Sequence, residues 1–160
     1  MPPALIIALS IAAGVALLVL LLGWARRGMA AARANLAEIA AGRTARRESP
    51  ASSFGLRSKG AAQLRGAGRL ALFDDELVFV QAIAENHVRA RLVDIVGVST
   101  PRSFLGKTQG VELLAVEWRA GDTTEQVALR VPDLEGWVRE LGGRRGADEA
   151  RGPVRASARA

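Results

Sequence analysis

Residues 4–25 read ALIIALSIAAGVALLVLLLGWA and contain no charged side chain. As a helix rising about 1.5 Å per residue, this stretch reaches roughly 33 Å, enough to cross a hydrocarbon core of about 30 Å. In hydrocarbon every backbone N–H and C=O must be paired within the segment, so a single span has to be helical. Arg26 and Arg27 follow at once, and Trp24 stands where an interfacial ring anchors a span. One transmembrane helix at residues 4–25, behind a short extracytoplasmic end at residues 1–3, is the expectation that orders the rest.

Orientation follows from the flanks. No Lys or Arg precedes the helix. After it come ten basic residues (Arg26, Arg27, Arg33, Arg43, Arg46, Arg47, Arg57, Lys59, Arg65, Arg69) against only Glu38 and Glu48. The positive-inside bias predicts a single-pass protein of a bacterial-type inner (plasma) membrane, N-terminus outside and body cytoplasmic. The competing reading is a cleaved secretory signal, which wants a basic n-region and a shorter apolar core. This chain has neither.

Working outward, the 160 residues leave room for one small domain after the anchor. With no Cys there is no disulfide, no thiol nucleophile and no Cys-ligated zinc. One His, no Tyr and two Lys make a poor catalytic inventory, so no enzyme activity and no cofactor are expected. The net charge of +6 is unevenly spread: residues 1–69 carry +8, residues 70–141 carry −5 and residues 142–160 carry +3. A nucleic-acid binder places its basic patch on the folded face. Here the arginines gather beside the lipid, where an anionic leaflet attracts each by about 1 kcal/mol. The expected partners are the bilayer and a membrane-associated protein, not nucleic acid.

Within the helix, Ala8, Ala12 and Ala16 recur every four residues, with Ser10 and Gly14 parallel to them. Small residues at this spacing let helices approach closely, which makes a homo-oligomer one expectation. Residues 26–53 read as a basic juxtamembrane helix and linker. Met29, Ala32, Leu36 and Ile39 lay one apolar stripe along that helix, suited to the lipid surface, to a partner helix or to a solvated stalk. GRTARRESPASS, residues 42–53, has the Ser, Pro and basic content of a linker.

After it the period changes to two. Leu70 and Leu72 alternate with Arg69, Ala71 and Phe73; Asp74-Asp75 turns the chain into ELVFVQA; Ala84-Glu85-Asn86 breaks it again. Val88, Ala90 and Leu92 share a face, as do Leu114, Val116 and Trp118, then Val127, Leu129 and Val131. FGLRSKGAAQLRG, residues 54–66, is the least regular strand candidate. Past Pro132 the period becomes helical: Asp133 suits an N-cap, and Leu134, Trp137, Val138 and Leu141 fall at i, i+3, i+4 and i+7. Gly142-Gly143 is a stop signal, and residues 142–160 read as a disordered basic tail. The fold class is therefore a single transmembrane helix plus a small mainly-β domain. That domain, residues 54–141, is a curled antiparallel sheet of about seven strands capped by one C-terminal helix, with Trp137 as its plug.

The run Gly68-Arg69-Leu70-Ala71-Leu72-Phe73-Asp74-Asp75-Glu76-Leu77-Val78-Phe79 resembles the strand–turn–strand signature of membrane-tethered pleckstrin-homology-like (PH-like or GRAM-like) domains in bacteria. Leu92-Val93-Asp94-Ile95 resembles their later strand end, and Trp137 matches their helix tryptophan. The resemblance implies a binding module. In members that bind phosphoinositides, a basic cluster between the first two strands holds the headgroup. Arg57, Lys59, Arg65 and Arg69 fall there, without the usual Lys…Arg-x-Arg spacing. With Arg26 and Arg27 they are the candidate anionic-lipid contacts.

Other motifs carry less. PRSFLGKT, residues 101–108, ends like a phosphate-binding loop but has Pro101 where the motif needs glycine, and a strand pattern follows it. His87 opens a strand after a turn, which suits a solvated or capping role more than a general base. Asp74, Asp75 and Glu76 form an acidic turn that a hard cation could use, although such turns more often serve solubility. The expected function is a membrane-tethered adaptor, with anionic-lipid binding or assembly through the transmembrane helix as alternatives.

Overall fold

The computed structural model describes residues 3–149 other than 64, 84–86 and 109, with side chains from residue 10 to residue 142. The turn at Ala84-Glu85-Asn86, the side chain of Ala8 and tail residues 150–160 lie outside the described residues. Helix α1, Pro3–Ala40, runs for 38 residues from the apolar stretch straight into the juxtamembrane segment. It stops because the backbone turns left-handed at Ala41 (φ 48°) and Gly42 (φ 82°), where the Arg43 N–H donates to the Ala40 carbonyl at 2.8 Å.

Strands β1 (Arg47–Leu56), β2 (Gly66–Leu72), β3 (Glu76–Gln81) and β4 (His87–Arg91) follow, then β5 (Ile95–Ser99). A small hairpin, β6 (Ser103–Phe104) with β7 (Lys107–Thr108), precedes β8 (Leu114–Ala120) and β9 (Thr123–Arg130). Helix α2, Leu134–Glu149, closes the described chain. The seven main strands form one antiparallel sheet in the order β4-β3-β2-β1-β9-β8-β5. β1 is its hinge: residues 47–53 pair with β2, residues 52–56 pair with β9, and the register shifts between Ser53 and Gly55. A bulge at that position bends the strand and increases its twist. Leu70, Leu72, Leu77 and Phe79 from one half then meet Leu114, Val116, Val127 and Leu129 from the other in a single core, which Trp137 and Leu141 of α2 close.

The strand faces expected from alternation are the faces observed. Two boundaries differ. β1 starts at Arg47, inside the stretch whose composition reads as linker, and the irregular segment 57–65 is the loop after it, opening with a 3-10 turn at Arg57–Lys59. Pro50 is tolerated because its half of β1 has β2 on one side and no described strand on the other, so its missing N–H breaks no ladder. Helix α2 continues through Gly142 to Glu149 instead of stopping, because Gly142 lacks the positive φ that ends a helix.

The outer face of β2–β3 is apolar as well, and α1 covers it. Ala32 and Leu36, 0% and 4% exposed, pack on Ala71, Phe73, Val78 and Val80. The Met29–Ile39 stripe therefore has its partner within the same chain. Ala12 and Ala16 remain exposed along α1. Near the start of this contact Gly28 permits close approach: a Cβ there would lie 3.5 Å from the Ala82 Cβ and 3.3 Å from its carbonyl oxygen. Disulfides need Cβ atoms roughly 3.5–4.5 Å apart. The pair Gly28→Cys with Ala82→Cys should therefore oxidise to one intramolecular disulfide, in a chain with no native cysteine to compete. Faster migration on a non-reducing gel would report it; an unbridged chain would mean that α1 stands off the sheet.

Candidate functional site

At the end of the sheet nearest Trp24 lies a cavity of about 480 Å³. Ser53, Gly55 and Leu56 of β1 line it, as do Lys59, Gln63, Arg65, Gly66 and Ala67 from the loop and the start of β2. Phe79 and Gln81 of β3, Ile83, Val88 of β4 and Trp24 of α1 complete the wall. Phe79 is 2% exposed and belongs to the inner core, so the cavity reaches the edge of that core. Trp24 and Ile83 are exposed at its mouth. Because α1 is continuous and docked, the mouth opens at the level where the apolar stretch ends.

The loop that forms one side is held by its own hydrogen bonds. Gln63 accepts from the Leu56 N–H at 3.0 Å and donates to the Leu56 and Gly60 carbonyls at 2.7 Å each. The Lys107 ammonium donates to the Phe54 carbonyl at 3.3 Å and to the Gln63 carbonyl. Arg65 lies over the Phe54 ring at 4.6 Å and donates to the Thr108 carbonyl at 3.2 Å. The Ser58 N–H donates to Glu125 at 3.1 Å. These contacts set the cavity before any ligand arrives, which lowers the ordering cost of binding.

The basic candidates divide. Lys59 and Arg65 line the cavity. Arg26 and Arg27 follow Trp24 on α1 and are exposed. Arg57 is turned to Glu117, at 3.4 Å, and to Gln126. Arg69, only 16% exposed, is bound to Glu48 at 2.5 Å on another face of the sheet. Trp137 is fully buried, with its indole N–H donating to Ser49 at 3.1 Å and Arg47 over its ring at 5.0 Å. Among contributors that sequence reading did not single out, Gln63, Phe79 and Lys107 stand out. Phe79 and Lys107 fall in motifs that the sequence reading gave other roles, and only the fold brings them together with Gln63.

A second polar cluster ties the chain just after α1 to the sheet. Arg43 donates to Asp75 at 2.9 Å and to Glu76 at 2.5 Å, and it lies over the Phe73 ring at 4.6 Å. Arg89 grips the other side of Glu76 with two bonds of 2.9 Å. Arg46 is near Asp74 at 3.8 Å. The acidic turn is thus committed to three arginines. The bonds from Arg89 hold the Glu76 carboxyl below its ordinary 4.5; burial opposes them, and Arg43 adds to the lowering. A carboxylate whose folded value is depressed contributes stability above its unfolded pKa and loses it as pH falls through the folded value. Titration from pH 6 to pH 3 should therefore destabilise the parent more than Glu76→Gln, read by urea midpoint. Equal slopes would remove Glu76 from the acid response.

In the hairpin that carries the phosphate-loop-like residues, Leu105 and Gly106 turn at positive φ between β6 and β7, and Lys107 is spent on carbonyls. No helix starts there to receive an anion. His87 is exposed at the start of β4, beside Asn35, Glu38 and Ile39 of α1. Among the described residues no group of three His, Cys, Asp or Glu could hold a metal ion.

No protein-family model and no curated protein matches the chain. One solved structure, the crystal structure of the C-terminal domain of an unknown protein from Leishmania infantum, is similar at 16% identity and TM-score 0.47, over 64% of this chain and 84% of that one.

Proposed function

We propose that the chain is a single-pass membrane protein, N-terminus outside and body cytosolic, whose PH-like body is a tethered binding module for a membrane-associated protein. The observation that carries this reading is the run of α1 from an apolar segment onto the outer face of β2–β3. Ile11, Val15, residues 17–22 and Trp24 are all more than half exposed, and a helix bare on every side needs lipid as its solvent. The bias of arginines after that segment supports the orientation. A meander whose first strand pairs both the second and the last, closed by a helix with a buried tryptophan, supports the PH-like part of this reading.

Docking holds the body within about one helical turn of the bilayer, and such confinement raises its effective concentration for a partner in the same membrane. The sheet also offers an acceptor edge. Among the described strands β5 pairs with β8 alone, and IVGVS carries neither the charge nor the proline that blunts an edge. The opposite edge, β4, carries Arg89 and Arg91. A partner strand added to β5 would satisfy its open backbone groups. The test is a pull-down from native membranes with the full chain as bait, beside a chain lacking residues 47–142. A protein retained only by the full chain supports the reading; the same proteins on both baits would overturn it.

A further inference from the structure

The cavity beside Trp24 differs from the acceptor edge in place and in chemistry. Leu56, Phe79 and Val88 of its wall stand at the rim of the inner core, and among the described residues that line it none is acidic. Its mouth is flanked by Ile83 and Trp24, 61% and 58% exposed. Lys59 lines the loop side, and Arg26 and Arg27 come next along α1, while the Arg65 guanidinium is turned to the Phe54 ring and the Thr108 carbonyl. About 480 Å³ falls within the range of roughly 300–1,000 Å³ in which small molecules bind.

We infer that this cavity takes one acyl chain of a glycerophospholipid from the bilayer that α1 spans, with the lipid phosphate left at the mouth. Three observations converge on that occupant. Trp24 belongs at once to the apolar helix and to the cavity wall, so a chain leaving the bilayer along α1 stays on apolar surface all the way in. A hydrocarbon chain suits a cavity whose wall presents Leu56, Phe79, Ile83 and Val88 beside Trp24. The cationic mouth complements a phosphate and disfavours a cationic or acid-seeking ligand. The inference rests on the membrane-spanning part of the proposed function and is independent of the protein partner. It gives the body a bound lipid as part of its fold.

The test uses the full chain reconstituted into vesicles of phosphatidylglycerol and phosphatidylcholine, with a trace of phospholipid carrying a diazirine near the end of one acyl chain. After irradiation, adducts are mapped by mass spectrometry. The expected result is adducts on the apolar part of α1 and also on the peptides that hold Phe79 and Val88. The second set should be lost in Val88→Trp, which fills the slot, and should reappear in Val88→Ala; retention of the α1 adducts shows that both variants are inserted. Adducts on α1 with none at Phe79 or Val88 in the parent would overturn the lipid inference alone. Absence from α1 as well would overturn the anchor and the inference together. Cavity adducts from a headgroup diazirine, with none from the chain-borne one, would show a polar occupant and overturn the inference.

Discussion

Trp137→Ala is expected to lower the stability of the full chain by about 3–5 kcal/mol, the usual cost of emptying a buried large aromatic site. Trp137 is fully buried and lies where α2 closes the space between the two half-sheets, in contact with a core supplied by both. Its loss removes packing from both halves at once, so relaxation of one half cannot fill the void. The indole N–H also occupies the Ser49 hydroxyl at 3.1 Å, and Arg47 lies over the ring while it grips Asp133, just ahead of α2, and Glu140 on it. Trp137→Phe keeps most of the ring and removes mainly the polar contact, worth about 1 kcal/mol. Pulse proteolysis across a urea series, in detergent, should rank parent, Phe and Ala in that order with the large gap before Ala. A small effect of Ala would mean that α2 is an appendage and not the closure of the sheet.

The same clamp explains what was legible in the sequence. Leu70, Leu72, Leu114, Val116, Val127 and Leu129 announce their strands because one face alternates cleanly, and Trp137 announces its helix through its spacing with Leu134, Val138 and Leu141. Alternation is a local signal. β1 lacks it: RESPASSFGL mixes small and polar residues, since its first half is an edge and its second half switches partners. Its content reads as linker, although Arg47 and Ser49 hold α2 in place. Placement of Trp24, Gln63 and Phe79 around one cavity, with Lys107 bracing the Gln63 carbonyl, depends on residues far apart in the chain, and no local pattern encodes it. The Met29–Ile39 stripe was visible, but its partner was not. A stripe specifies that something apolar covers it, and only the second apolar face of β2–β3 says what.

Ala32→Glu is expected to separate α1 from the sheet. Ala32 is fully buried on the apolar side chains of Ala71, Phe73, Val78 and Val80. An unpaired carboxylate held there costs several kcal/mol. Burial of Leu36, the largest buried side chain that α1 brings to the contact, contributes about 1.5–3 kcal/mol. The Arg43 bonds to Asp75 and Glu76 lie beyond the helix end, and partial exposure of Arg43, at 36%, limits their strength. The charge therefore wins, and the helix swings out on residues 41–46. With Gly28→Cys and Ala82→Cys in the background, the disulfide should disappear with Ala32→Glu and persist with Ala37→Glu, whose site faces solvent. The phospholipid adducts at Phe79 and Val88 should go with it, because the cavity loses its Trp24 wall while the anchor stays inserted. Retained adducts after the disulfide is gone would mean that the lipid slot belongs to the sheet alone and that docking serves only to orient the body.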